Sequence, residues 1–321
     1  MEMRSFGNTG LYVGALGFGA AEIGFEHTDD PTVDTLLGAA QDVGINVIDT
    51  AAMYHDSEEK LGRALQGRRN QFLLFTKCGR CLPPRTSLTG FWLRARRKLR
   101  RARGRGDEYE RLDWHPSALE WSIEQSLRRL KTDRIDLIQL HSCSEETLHR
   151  GEVIEVLQCA RQAGKVLHIG YCGDGAAACY AIRCGQFEAV EMSINVADQQ
   201  ALDLALPLAH RYGVGVIAKR PIANGLWRNT RRPERSKDHA YWERLRELHY
   251  DSLHSGCDFA TALRFTLSVT GVHTAIVGTT NPVHLRKNAE CSEAGPLNGG
   301  QLNVIRTQWK RTARPDWVGQ M

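Results

Sequence analysis

The sequence predicts an α/β fold, and more specifically a closed (β/α)8 TIM barrel formed by a single domain over residues 1–321. Short apolar runs alternate with amphipathic segments about eight times, which is the pattern of parallel strands joined by helical crossovers. An open doubly wound sheet is the alternative. Its G-x-G-x-x-G turn is absent, because Gly14, Gly17 and Gly19 do not have that spacing.

The strands of this barrel are predicted from short runs rich in branched aliphatic residues, each bounded by polar residues or glycine. In chain order they are 16–19, 46–49, 71–77, 135–141, 166–172, 188–194, 213–219 and 274–278.

Helices are predicted between the strands, where apolar residues recur at helical spacing. Proline stands in the first turn of 31–43 and of 116–130, and 57–65 begins with a Ser-x-x-Lys pattern that resembles a capping box. The other predicted helices are 151–163, 176–184, 198–212, 257–267 and 282–291, with a further helix-like segment at 301–313 in a C-terminal tail of about residues 292–321.

The positive charge is concentrated in one segment. The net charge is +5, yet eight arginines and one lysine lie between Arg85 and Arg105 without an acidic residue among them. The rest of the chain is therefore net acidic, which disfavours nucleic acid as a partner. This basic insertion, at about residues 82–112, could contact an acidic partner or an anionic substrate, or be solvated without a partner.

Composition and cysteine usage predict a cytoplasmic protein. Charged residues make up 25% of the chain and hydrophobic residues 42%, and the sequence has neither a membrane-spanning run nor a secretory signal. Nine cysteines without the spacing of a disulfide scaffold indicate reduced thiols. Cys78, Cys81, Cys143 and Cys172 follow strand ends and could form a metal or redox site, but no second C-x-x-C supports zinc, so no metal is predicted.

Ionisable residues close three consecutive strands of the predicted barrel. Asp49, Lys77 and His141 end the second, third and fourth strands, and Tyr54 lies in the loop after the second. In a β/α barrel these strand ends meet at one mouth, where active sites lie. Any one of these residues alone could be structural, but together they predict a catalytic site.

A phenol, an ammonium, a carboxylate and an imidazole together form a proton-donating site. The ammonium of Lys77 lowers the pKa of Tyr54, the carboxylate of Asp49 holds the lysine, and the imidazole can bind a substrate oxygen. Such a set protonates an alkoxide as it forms from a carbonyl that receives a hydride. The hydride must come from a nicotinamide or a flavin, because no side chain supplies one.

Segments along nearly the whole chain carry a family resemblance. They are FGNTGL at 6–11, LGFG at 16–19, IDTAAMY at 48–54, SEEKLG at 57–62, DRIDLIQLH at 133–141, GKVLHIG at 164–170 and AIVG at 275–278. On these motifs the chain resembles the aldo-keto reductases. The resemblance implies NADPH-dependent reduction of an aldehyde or ketone, reversible as alcohol oxidation, with Tyr54 as general acid, Lys77 as its pKa partner, Asp49 as the anchor of the lysine and His141 as the carbonyl-orienting group.

The predicted nicotinamide site departs from the family pattern. Where the family has a Ser-Asn pair that holds the carboxamide, this chain has Cys172 and Gly173, and the usual Gln of the sixth strand is Glu191. Glu191 could still accept a hydrogen bond from the amide. The changes leave open a nicotinamide that is held differently, or weak turnover.

The resemblance also implies sites for the rest of the dinucleotide. The loop that clasps the pyrophosphate corresponds to Lys219, Arg220, Pro221, Asn224, Gly225 and Leu226, although a solvated basic turn is the alternative. The adenosine end corresponds to Gly278, Thr279, His284 and Asn288, at a loop that leads into a helix N-terminus. Only the resemblance favours NADPH over NADH.

Two other functions stay open. The first is a cofactor-binding barrel that acts as a sensor or partner-binding protein with weak or no turnover. The second is a dehydratase or isomerase that uses Tyr54 and Lys77 without net redox chemistry. Under the reductase hypothesis the expected partner is a small-molecule carbonyl compound, and no membrane is involved.

Overall fold

The computed structural model describes residues 1–81, 111–251 and 258–320. The predicted basic insertion lies outside these residues except for its last two, Arg111 and Leu112. Cys257, the predicted first residue of a helix, also lies outside them.

The strands are numbered here in chain order. They are β1 (Met3–Ser5), β2 (Tyr12–Gly14), β3 (Leu16–Gly19), β4 (Val47–Asp49), β5 (Leu73–Cys78), β6 (Arg80–Cys81), β7 (Arg111–Leu112), β8 (Ile135–His141), β9 (Val166–Cys172), β10 (Ala189–Ser193), β11 (Gly215–Lys219) and β12 (Thr274–Gly278).

Eight of these strands close into a parallel barrel in the order β3-β4-β5-β8-β9-β10-β11-β12, with β12 pairing back to β3. The predicted (β/α)8 barrel is thereby confirmed. The other four strands form two antiparallel pairs, β1 with β2 and β6 with β7, which the sequence patterns did not predict.

The strand predictions agree with the structure in position and differ at some ends. β3, β8, β9 and β12 have the predicted bounds. The prediction of strand from residue 71 is wrong, because Arg69–Gln71 forms a 3-10 turn in which the Arg69 guanidinium donates to the Phe72 carbonyl at 2.8 Å. β4, β10 and β11 begin one or two residues later than predicted.

The helices surround the barrel. In chain order they are Ala21–Phe25, Asp30–Asp42, Ser57–Ala64, Pro116–Leu130, Glu145–His149, Glu152–Gln162, Gly175–Arg183, Gln200–Leu204, Leu206–Tyr212, His239–Leu248, Asp258–Ser268, Pro282–Glu293 and Gly299–Thr312. Three 3-10 segments, Arg69–Gln71, Ala223–Arg228 and Ser236–Asp238, complete the described elements.

Two helix predictions are corrected by the structure. The predicted helix 198–212 is two helices that meet at Ala205, because Pro207 has no N–H to continue a single hydrogen-bond ladder. The predicted capping box at Ser57 is absent, since Asp56 is the N-cap and makes no side-chain cap bond. The Ser57 hydroxyl donates instead to the Ala20 carbonyl at 2.7 Å.

The N-terminal hairpin closes the end of the barrel opposite the strand carboxyl ends. Phe6, in the loop between β1 and β2, belongs to the apolar cluster inside the barrel and stacks on Phe75 with 5.7 Å between ring centroids. A Cβ at Gly215 would lie 2.6 Å from the Phe6 ring, so only glycine fits there. The barrel interior is therefore a packed core at this end.

The C-terminal tail folds back over the barrel. Its helix, Gly299–Thr312, places Trp309 in a second apolar cluster together with Trp317 and Tyr241. Residues 313–320 then reach the carboxyl ends of the strands, where the Gln320 carbonyl accepts a hydrogen bond from Arg220, directly after β11. The Val318 carbonyl accepts another from Arg244 at 2.7 Å.

Among the described residues, no helix combines the length and apolar character that crossing a bilayer requires.

Candidate active site

The inward-facing side chains change from apolar to polar toward the carboxyl ends of the strands. The apolar layer contains Val47, Phe75, Leu137, Ala189, Ile217 and Ile276. Strand residues two apart share a face, so the next layer consists of Asp49, Lys77, Gln139, Glu191, Lys219 and Gly278. The apolar layer excludes water from below, and the polar layer forms the floor of the barrel mouth.

The Lys77 ammonium is the centre of this floor. It donates to the two carboxylate oxygens of Asp49 at 2.5 and 2.6 Å and to the Thr50 carbonyl at 3.2 Å, and it lies 3.1 Å from Glu191 Oε2. Burial by itself lowers the pKa of Lys77, but the charges of Asp49 and Glu191 outweigh it and raise that pKa well above its usual value. Lys77 is therefore a fixed cation.

Tyr54 and His141 lie above this cation. The Lys77 ammonium is 5.7 Å from the Tyr54 ring centroid, and the Tyr54 ring meets the His141 ring edge-on at 6.1 Å. Burial raises the pKa of Tyr54 although Lys77 opposes the shift. Burial and the charge of Lys77 lower the pKa of His141 well below its usual value. At neutral pH the site therefore presents a protonated phenol and a neutral imidazole.

The structure thus brings together the four side chains that the sequence singled out as a catalytic set. Their convergence follows from β4, β5 and β8 being consecutive barrel strands. Their catalytic roles stay a prediction.

The predicted nicotinamide residues lie beside this set. Glu191 Oε2 accepts from the Gln139 amide at 2.9 Å as well as lying near Lys77. Cys172 is buried at the end of β9, and burial together with the charge of Glu191 raises its pKa to about 12. Its thiol is therefore protonated and neutral. No group of three or more possible metal ligands is found within the described ranges.

The two predicted diphosphate cations already have protein partners. Lys219 Nζ lies 3.0 Å from Asp174 Oδ2. The Arg220 guanidinium donates to the carbonyl of Gln320 in the tail and to the Ser193 hydroxyl, the latter at 3.4 Å. A diphosphate at this place has to share or replace these contacts.

The rest of the predicted pyrophosphate loop turns away from the strand end. Pro221 is buried, and its carbonyl accepts from Thr266 at 2.9 Å. Leu226 is buried, whereas Asn224 is exposed and donates to Asp238 at 3.1 Å. Gly225 follows Asn224 in a left-handed conformation, so the chain reverses direction here.

At the predicted adenosine end, the loop after β12 leads into the helix Pro282–Glu293. Thr279 accepts from the Asn281 N–H at 3.1 Å, His284 is exposed, and Asn288 is buried. A Cβ at Gly278 would lie 1.8 Å from Glu22 Oε2, so glycine makes room for this carboxylate.

Several residues of the mouth were missed by the sequence analysis. Asp174 lies two residues after the end of β9 and Ser193 ends β10, so a search of the strand ends and the loops directly after them would have found both. Gln139 lies two residues before His141 on the same face of β8. The contact of Gln320 with Arg220 had no local signal, because the two residues are 100 positions apart.

The chemistry of the mouth fits a nicotinamide dinucleotide in most respects. Within the described residues, buried polar atoms at His141 Nδ1 and Gln139 Oε1 have no hydrogen-bond partner and can receive one from a ligand. A diphosphate would suit the cations of Lys219 and Arg220 and the N-terminus of the helix Pro282–Glu293. Two carboxylates at the predicted adenosine site do not suit a 2′-phosphate: Glu22 beside Gly278, and Glu26, which accepts from the Thr280 hydroxyl at 2.9 Å.

Comparison with known proteins agrees with this geometry. The sequence model of the Aldo/keto reductase family matches residues 15–309. L-galactose dehydrogenase of Arabidopsis thaliana is 32% identical over 73% of this chain and 69% of its own length. D-threo-aldose 1-dehydrogenase of a Pseudomonas species is 29% identical over 88% of this chain and 90% of its own.

A solved structure extends the similarity to three dimensions. The holo form of aldo-keto reductase AKR11C1 from Bacillus halodurans superposes with a TM-score of 0.79 at 26% identity, covering 98% of this chain and 99% of that one. The family match runs from the first barrel strand into the last helix. This chain accordingly belongs to the aldo/keto reductase family, whose members are NAD(P)H-dependent oxidoreductases.

Proposed function

We propose that this protein reduces an aldehyde or ketone with NADPH, reversibly, with Tyr54 as the general acid. The observation that carries the proposal is the Lys77 ammonium, fixed by both oxygens of Asp49 and lying 5.7 Å from the centroid of the Tyr54 ring. A cation at this distance stabilises the phenolate that forms when Tyr54 gives up its proton.

The side chains of the mouth divide the proton chemistry among them. Tyr54 holds its proton at neutral pH and donates it to the carbonyl oxygen. The neutral His141 imidazole offers a hydrogen bond that orients this oxygen. Lys77 stays charged throughout and stabilises the developing phenolate. A bound nicotinamide supplies the hydride.

The dinucleotide is proposed to lie across the ends of β9 to β12. Cys172, Glu191 and the orphan amide oxygen of Gln139 border the nicotinamide end, and Lys219 with Arg220 meets the diphosphate. Gly278, Thr279, His284 and Asn288 border the adenosine end, with Pro221, Asn224, Gly225 and Leu226 shaping the loop between. NADPH is proposed on the family pattern, and a cytoplasmic location on the free thiols of the described cysteines.

The substrate is proposed to be a small carbonyl compound of the sugar aldehyde class. Two relatives are named for their action on L-galactose and on D-threo-aldoses, which supports this class. Phe25 is exposed at the mouth and packs on Tyr54 with 5.6 Å between ring centroids, so it provides an apolar wall beside the phenol.

The test is Tyr54→Phe, with Tyr12→Phe on the far hairpin as the matched control. Tyr54→Phe should lower kcat for carbonyl reduction by at least about a hundredfold, because it removes only the transferable proton. NADPH affinity, measured by quenching of tryptophan fluorescence, should not change. Wild-type protein that binds NADPH but reduces no member of a broad aldehyde and ketone panel would instead point to a sensor.

A further inference from the structure

Glu191 places a second carboxylate on the lysine of the catalytic set. Its Oε2 lies 3.1 Å from Lys77 Nζ and accepts from the Gln139 amide at 2.9 Å. The Asp49 carboxylate meets the same ammonium with both oxygens, at 2.5 and 2.6 Å. Two carboxyl groups therefore share one ammonium.

The cluster is almost entirely buried at the floor of the barrel mouth. Lys77 is 0% exposed, and Asp49 and Glu191 are each 3% exposed. The titratable groups that face the cluster are Tyr54 from the loop after β4, His141 from β8, Cys172 from β9 and Lys219 from β11.

None of these facing groups neutralises the second carboxylate. Tyr54, Cys172 and His141 are neutral at pH 7, and Lys219 is paired with Asp174 at 3.0 Å. With both carboxyls ionised the cluster therefore has a net charge of −1 in a buried place. Taking up one proton removes this charge, as in other pairs of neighbouring buried carboxyls.

We propose that Glu191 is a positioning residue that forms with Asp49 a proton-sharing carboxyl pair around Lys77, and that this pair switches the charge of the barrel mouth between neutral and −1. Burial and the charge of Glu191 raise the pKa of Asp49 to about 7, which places the switch in the physiological range.

The consequence for the cofactor rests on the proposed function. The oxidised nicotinamide ring is a cation and the reduced ring is neutral, so an ionised pair stabilises the oxidised form. Binding of the oxidised cofactor then releases the shared proton to solvent. The pair thus strengthens binding of the oxidised cofactor relative to the reduced one as pH rises.

The first measurement looks for the proton shared by the Asp49 and Glu191 carboxyls. It uses the protein without cofactor and infrared difference spectroscopy from about pH 6 to about pH 9. Burial also raises the pKa of Asp198 to about 7, so the measurement uses an Asp198→Asn background. A protonated-carboxyl band should be present at the acidic end and vanish at the alkaline end.

Glu191→Gln should abolish this titrating band, because Asp49 alone then forms an ordinary ion pair with Lys77. The matched control is Glu188→Gln, the same change at a half-buried residue just before β10, which should leave the band intact. The parent protein here is Asp198→Asn without a further change. The inference is overturned if the band persists in Glu191→Gln or is absent from the parent protein. The titration of the parent protein tests the inference even if Glu191→Gln does not fold.

The second measurement is the ratio of the dissociation constants for NADP⁺ and NADPH, obtained by fluorescence. Between about pH 6 and about pH 8.5 the ratio should shift about tenfold toward the oxidised cofactor in the parent protein and stay flat in Glu191→Gln. A parent ratio that ignores pH overturns the inference but leaves the reductase proposal standing. If the carboxyl pair titrates but the protein reduces no carbonyl compound, the inference about the pair stands and the reductase proposal is overturned.

Discussion

The Lys77 ammonium and the Asp49 carboxylate face each other across neighbouring barrel strands, with both carboxylate oxygens within 2.6 Å of the nitrogen. Each residue stands two positions after an apolar one, Phe75 and Val47, which belong to the core inside the barrel. The ion pair therefore rests on a dry apolar floor. Separating two such charges is costly because neither can be hydrated in place.

Lys77→Met should destabilise the fold as well as remove activity. The change leaves Asp49 and Glu191 buried without their cation, which we expect to cost about 3–5 kcal/mol at pH 8. At lower pH the two carboxyls can take up protons. The folded-state pKa of Asp49 lies above its unfolded value, so the folded state binds more protons and the variant loses stability as pH rises. Urea unfolding at about pH 5 and about pH 8 measures the difference.

The control is Lys165→Met. Lys165 forms an ion pair with Glu124 on the surface, where such pairs contribute less than about 1 kcal/mol. An equal loss of stability in Lys77→Met at both pH values would mean that the carboxylates are not what destabilises the variant.

Asp198 should make the stability of the wild-type protein fall as pH rises. Its carboxylate accepts from the Tyr241 hydroxyl at 2.9 Å, and burial raises its pKa to about 7 from the ordinary 3.8. Between these values the folded state holds a proton that the unfolded state has lost, so the free energy of unfolding decreases with pH. Asp198→Asn should reduce that slope by up to ~1.4 kcal/mol per pH unit.

Urea unfolding at several pH values between about 4 and 7 checks this slope. The lowered pKa of His141 acts in the opposite direction, but it is common to both proteins and cancels in the difference. Parallel stability curves for the wild type and Asp198→Asn would contradict the prediction.

The sequence was sufficient to predict the barrel and to identify the residues on its inner face. Alternation along a strand assigns Lys77 and His141 to the same side as the core residues below them, and the strand order then makes them neighbours. The junction at Ala205 was missed because the apolar spacing continues through Pro207, which breaks the hydrogen-bond ladder without breaking the pattern.

Contacts between residues that are distant in the sequence could not be predicted from the local sequence patterns. Arg220 and Lys219 were predicted to clasp a pyrophosphate or to lie in a solvated basic turn, and in the structure they meet Gln320 and Asp174. Nothing local to Arg220 specifies a carbonyl 100 residues away. The contact of Arg220 with Gln320 depends on how the tail packs, and Trp309 and Trp317 anchor the tail in their own apolar cluster.

Gly319→Ala should strengthen cofactor binding. An added Cβ at Gly319 would lie 2.2 Å from the Asp174 side chain, so the tail has to move and its Gln320 carbonyl leaves Arg220. A diphosphate then no longer competes with this hydrogen bond, and the dissociation constant for NADPH should fall by up to about tenfold. Fluorescence titration measures it.

Gly299→Ala is the matched control for this tail variant, because a Cβ at Gly299 has no atom within 4 Å. Deletion of residues 319–321 should reproduce the gain in affinity. If both tail variants bind NADPH as the wild type does, the contact between Gln320 and Arg220 is not an obstacle to the cofactor.

Glu26 should weaken recognition of a 2′-phosphate. Its carboxylate accepts from the Thr280 hydroxyl at 2.9 Å, in the loop proposed for the adenosine end, where it repels a phosphate. Glu26→Gln should therefore tighten NADPH binding by about threefold to tenfold at low salt while leaving NADH nearly unchanged. Glu290→Gln, an exposed residue farther along the helix Pro282–Glu293, is the matched control. The gain should shrink as salt screens the charge, and an equal gain for NADH would mean that the 2′-phosphate does not lie in this loop.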